Sequence, residues 1–169
     1  DMVITPAGGT ADLNEVAWSS DGTQLAFAGG GSVRIANAVA GSPLRTVING
    51  PNLALAWSAR GNRLAAADVD GTIQVWDPAT DRIATLVGHT DWVNAMGWSP
   101  DGAQLAWLTW HHPNMPWDGC ELWTGDIGNE GSITNQKHVA GGQRESIFQP
   151  EWSPEGVLYF VAETSGWWN

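Results

Sequence analysis

A chain of 169 residues is long enough to bury a full core, and 12 tryptophans beside a charged fraction of only 15% describe a densely packed β protein. Seven Lys and Arg against eighteen Asp and Glu leave a formal charge of −11, which repels a phosphate backbone and an anionic membrane alike, so neither nucleic acid nor a membrane surface is expected as a partner. No window approaches the ~18 apolar residues of a membrane span and no basic-then-apolar leader opens the chain, which starts at Asp1, so a soluble, cytoplasm-compatible chain is expected; the single Cys120 reads as a small buried thiol.

In chain order, VITPAGG (3–9) reads as a strand without its own sheet. LNEVAWS (13–19) then alternates apolar and polar residues as a strand does, and a turn follows whose Gly22 can take the positive φ of a tight hairpin. The apolar run QLAFAG (24–29) is short enough for a doubly buried second strand. GGGS (29–32) turns into a third, SVRIANA, and PLRTVING (43–50) supplies a fourth.

The opening phrase of this unit then returns. WSSDGTQLAF (18–27) is followed by WSARGNRLAA (57–66), WSPDGAQLAW (98–107) and WSPEGVLYF (152–160), so that Trp18, Trp57, Trp98 and Trp152 stand 39, 41 and 54 residues apart. The first two intervals match one four-stranded propeller blade. An all-β fold is expected, a β-propeller of four-stranded antiparallel blades at about 11–50, 51–89, 90–142 and 143–169, the last completed by strand 1–9 of the same or another chain. The four Trp are expected to fill the space between blades, burying ~150–250 Å² each.

Residues 69–91, VDGTIQVWDPATDRIATLVGHTD, resemble a WD repeat: Asp70-Gly71 in the turn, Trp76-Asp77 ending the third strand, Gly88-His89 opening the next unit. The resemblance, which extends over 11–91, implies a stiffening tetrad of Asp, His, Ser/Thr and Trp, in which Asp70 and Trp76 hold two places. Ala65-Ala66-Ala67 stands where the hydroxyl belongs and Gly50-Pro51 where Gly-His would stand, so an incomplete network is expected. Residues 99–169 instead resemble the N-terminal propeller of prolyl oligopeptidase-family, acylaminoacyl-peptidase-like enzymes, through HPNMPWDG (112–119), ELW (121–123), FQPEWSPEG (148–156) and SGWWN (165–169). That resemblance implies a propeller filtering access to a separate hydrolase domain. A change of resemblance near GWSPDG (97–102) reads as a recombined or engineered chimera of two propellers.

Chemistry is sparse. The insertion HHPNMPWDGC (111–120) gathers His111, His112, Trp117, Asp118 and Cys120, but adjacent His residues on extended chain point apart, so an ordered surface loop is expected rather than a metal site. Asp-Gly pairs at 21–22, 70–71, 101–102 and 118–119 lack the alternating carboxylates of a calcium loop and read as turns. There is no G-x-S-x-G elbow and no Ser, His and acid at a suggestive spacing. No catalysis and no cofactor are expected. Two roles remain: a non-catalytic scaffold presenting a surface to a peptide or protein, or the substrate-gating propeller of a serine peptidase. About four blades per chain leave two open edges, so a homodimer closing one ring is expected, with a four-bladed monomer as the alternative.

Overall fold

The computed structural model describes residues 13–38, 43–87, 92–110, 115, 117–129 and 131–163. The expected segments VITPAGG and SGWWN, and the residues His89, His111 and His112, lie outside the described residues. Among those described, regular structure is all β, in four antiparallel sheets. The first sheet holds β1 (Leu13–Trp18), β2 (Gln24–Gly29), β3 (Ser32–Asn37) and β4 (Arg45–Asn49) in sequence order. The second holds β5 (Asn52–Trp57), β6 (Leu64–Asp68), β7 (Ile73–Asp77) and β8 (Arg82–Leu86). The third holds β9 (Trp92–Trp98), β10 (Gln104–Trp110), β11 (Cys120–Ile127) and β12 (Ile133–Gly141), and the last pairs β13 (Ser146–Trp152) with β14 (Leu158–Glu163).

The first strands stand side by side, β1 against β5, β5 against β9 and β9 against β13, which is the arrangement of blades around a propeller axis. The fold is a partial β-propeller. Three apolar clusters hold it together, one per seam. Ala26, Ala28, Val33, Ile35 and Ile48 of the first sheet meet Leu55, Leu64 and Trp76 of the second. Ala65, Ala67, Ile73 and Val75 meet Val93, Trp98, Leu105 and Trp107, and Ala106, Leu108 and Leu122 meet Ile147 and Trp152. The second strands are rich in alanine because neighbouring sheets approach closely there: Ala26, Ala28, Ala65, Ala66, Ala67 and Ala106 are all 0% exposed.

The Ser, Asp and Gly of the repeated phrase build the first hairpin. Ser19 Oγ donates to Asp21 Oδ1 at 2.7 Å and accepts from the Gln24 amide at 2.9 Å, while the Thr23 amide donates to Asp21 Oδ1 at 2.9 Å. Ser99, Asp101, Gln104 and Ala103 repeat these three bonds in the same order at 2.6, 2.8 and 3.0 Å. These bonds favour the charged carboxylates, and they hold Asp21 and Asp101 below the usual carboxylate range, the Ser hydroxyl being the larger cause in each. At Gly102, φ is +71° and an added Cβ would lie 2.8 Å from Ser58 Oγ and 2.9 Å from the Arg60 carbonyl. This turn therefore needs glycine twice over, for its backbone and for the preceding sheet's turn packed against it.

Candidate functional site

The clearest recurring geometry is a relay of indoles across the seams. Trp57 ends β5 and its Nε1 donates to the Ala17 carbonyl of β1 at 2.9 Å. Trp98 Nε1 donates to the Ala56 carbonyl at 2.9 Å, and Trp152 Nε1 to the Gly97 carbonyl at 3.1 Å. In every case the acceptor is the residue just before the previous sheet's own Trp. Each indole also lies over a cross-strand pair of small residues: Ala17 opposite Ala26, Ala56 opposite Ala65, Gly97 opposite Ala106. At the third seam an added Cβ on Gly97 would stand 3.8 Å from Trp152 Cδ1. Small pairs make the room, and the carbonyl one residue before the strand end supplies the acceptor that an indole drawn out of solvent requires.

The two outer faces depart from this pattern. Trp18 is 54% exposed and Val16, on the same side of β1, 57%, whereas Leu55, in Val16's position on the second sheet, is 5% exposed. At the other end the pair corresponding to Ala17–Ala26 is Glu151 opposite Tyr159, with Tyr159 62% exposed. A groove of about 330 Å³ opens there, lined by Gln149, Glu151, Tyr159, Phe160 and Val161.

Trp76, one of the two expected tetrad positions, gives its donor to a residue outside that set. Trp76 is 3% exposed, but its Nε1 donates to Asp81 Oδ1 at 3.0 Å, and Asp81 pairs with Arg45 of the first sheet at 2.5 Å, the guanidinium lying 5.8 Å from the Trp76 ring centroid. Trp76 thus closes the first seam from its outer side. The Trp76 and Arg45 bonds hold the Asp81 carboxyl below its usual range. Asp70 is exposed at the tip of the β6–β7 turn, and the side chain that ties this turn is Asp68, whose Oδ1 accepts from the Asp70 and Thr72 amides at 2.9 and 3.1 Å. Arg45, Asp68 and Asp81 carry no family motif, and only their partners across the turn or seam reveal them.

Two further contacts cross the seams. Glu15 Oε2 accepts from the Leu55 amide at 2.5 Å; burial of the carboxylate against the second sheet raises its pKa from the ordinary value, and the amide partly offsets this. Arg63 donates to the Gly128 and Asn129 carbonyls of the third sheet at 3.1 and 3.0 Å. In the inserted loop Trp117 is 57% exposed, its carbonyl accepts from Ser146 Oγ, and Asp118 Oδ2 accepts from the Met115 amide at 3.1 Å. Cys120 is buried, which raises its pKa. Among the described residues no three His, Cys, Asp or Glu cluster as a metal site, and no helix is long and apolar enough to cross a membrane.

Residues 41–77 and 80–106 match the WD domain, G-beta repeat family model. WD repeats are thus detected in these two stretches. This propeller is 35% identical over 104 residues to a B-type cell cycle switch protein of Medicago truncatula, covering 57% of this chain and 21% of that protein. It is 27% identical over 130 residues to a protein transport protein of Emericella nidulans, covering 74% and 38%. Among solved structures it superposes on a Mycobacterium tuberculosis puromycin-hydrolyzing peptidase with a TM-score of 0.71 at 23% identity, over 92% of this chain and 26% of that one. A puromycin hydrolase complexed with PGG gives a TM-score of 0.67 at 23% identity, over 86% and 26%. At such identity the likeness shows the fold alone. The propeller spans between a fifth and two fifths of these relatives' lengths. Both likenesses run across the join expected near 97–102: the WD match continues to residue 106, and the peptidase structures cover nearly the whole chain.

Proposed function

We propose that this propeller is a non-catalytic binding module whose two outer sheet faces are covered by further propeller sheets, and which offers its loops and axial surface to a protein or peptide. The indole relay carries this reading. Three seams are built by one rule, and Trp18 presents the donor half of a fourth seam to solvent. Relatives named for cell cycle switching and protein transport support a scaffold rather than a reaction.

Two arrangements would cover the faces. In one, two copies close a single ring, as the open edges led us to expect. In the other, the chain's sheets sit within a longer peptidase-type propeller that filters substrates toward a separate hydrolase domain, a reading favoured by the superposition of nearly the whole chain on about a quarter of each of two puromycin-hydrolysing structures. Light scattering separates them: a mass of about 36 kDa, twice 18.0 kDa, supports the two-copy ring, and a monodisperse 18.0 kDa species the longer propeller. Under either arrangement, puromycin incubated with the purified chain should remain intact. Hydrolysis that co-purifies with the chain would overturn the non-catalytic reading.

A further inference from the structure

Given the binding-module reading above, the seams themselves bear on which arrangement covers the first sheet. In each of the three seams the sheet that receives the next sheet's indole has two small residues opposed at that place, Ala17–Ala26, Ala56–Ala65 and Gly97–Ala106. The last sheet, which a second copy would have to offer to Trp18, presents Glu151 opposite Tyr159 at that position. Seating an indole there would bury the Glu151 carboxylate and drive the six-membered ring of Tyr159 out of the volume the indole needs. An unpaired buried charge and overpacking are both unfavourable.

We propose that the face of β1 carrying Val16 and Trp18 is a docking surface for one sheet of a larger propeller, a sheet whose first two strands oppose two small residues and whose strand-end carbonyl accepts from Trp18 Nε1, and that the chain's own last sheet is excluded from this role by Glu151 and Tyr159. The interface is continuous with those already formed. Val16 and Trp18 occupy the places of Leu55 and Trp57, which are covered by the sheet before them. The residues outside the described ones at the two ends number 12 and 6, fewer than the 39 of the shortest blade repeat.

The test uses the full chain and turns its own last sheet into a receiver. Wild type is expected to sediment as an 18.0 kDa species. The E151A/Y159A variant, which restores a small pair at two exposed positions, is expected to associate head to tail with rising concentration, and adding W18A is expected to return it to the monomer. A wild-type dimer that W18A disperses would overturn the exclusion while leaving the binding-module reading intact. A folded E151A/Y159A variant that stays monomeric at every concentration would overturn the small-pair rule. The converse variant, A65Y, places the last sheet's tyrosine inside the second seam and is expected to lower the denaturant midpoint. An unchanged midpoint would likewise overturn the rule, even if the gain-of-association variant fails to fold.

Discussion

Trp57 and Trp18 occupy the same place in the same repeated phrase, yet one donates to a carbonyl across a packed seam and the other stands 54% exposed. The strands beneath them pair alike, Trp57 opposite Leu64 and Trp18 opposite Leu25. The difference therefore does not arise within the sheet. It arises from the neighbour: a tryptophan at a strand end has a large apolar face to bury and one donor to satisfy, and only an adjoining sheet does both. A repeated motif in a modular fold is in this sense half of an interface, and its energetic worth depends on whether the other half is present.

The contrast is broken most forcefully at the packed indole. Trp57→Ala should cost about 3–5 kcal/mol, the range for emptying an aromatic core site, whereas Trp117→Ala, in a loop where the side chain is 57% exposed, should change stability by less than about 0.5 kcal/mol. Equal denaturant midpoints for the two variants, at unchanged slopes, would mean that the seam indole is not a core residue. A smaller effect sharpens the same comparison in the turns. Gly22 and Gly102 have φ of +68° and +71°, but an added Cβ meets nothing within 4 Å at Gly22 and two atoms under 3.0 Å at Gly102. Gly22→Ala should cost about 1–2 kcal/mol from left-handed backbone strain alone, and Gly102→Ala more, because the Ser58 turn must also move. Thermal unfolding of the pair tests this, and an equal loss would place the packing between turns outside the energetics.

The smallest effect is titrational. Glu15 joins the first two sheets through the Leu55 amide, and burial raises its pKa above 4.5. A carboxyl raised in the folded state binds protons that the unfolded chain has released, so its contribution is most favourable at low pH and is lost as pH rises from about 4.5 through the raised value. Asp21, Asp81, Asp101 and Asp126 run the other way. Their pKa values are lowered from 3.8, chiefly by hydrogen bonds from side chains, and what they contribute is present above that value and lost as pH falls. Glu15→Gln isolates the first term: the variant's midpoint should gain on wild type as pH rises from 4.5 toward neutrality. A difference constant across that range would remove Glu15 from the pH response.

Much of this molecule is legible from local pattern. The phrase Trp-Ser, a turn with glycine, and a short apolar run fixes a hairpin because each residue type meets a requirement close by in sequence: Ser19 and Asp21 tie amides within five residues, Gly22 takes a left-handed turn, alternation assigns the faces of β1, and the unbroken apolar run marks β2 as buried on both. Four such units, the first three at blade-length spacing, then give sheets and a propeller, since strand order follows chain order. What tertiary structure alone decided are the partners across the seams. Trp76 carries a family signature that points to a tetrad with Asp70, but the chain places Asp81 and Arg45 around it, because a side chain bonds whatever acceptor the adjoining strand-end and sheet bring within 3.0 Å. The alanines of β6 look in sequence like a lost hydroxyl, and in space Ala65 is half of the small pair beneath Trp98. Likewise Glu151 and Tyr159 read as ordinary alternating strand residues until register sets them opposite each other where the other sheets keep alanine or glycine. Hydrogen bonds and φ angles within a turn are short-range and so are written in the sequence; room for an indole is a property of two sheets at once.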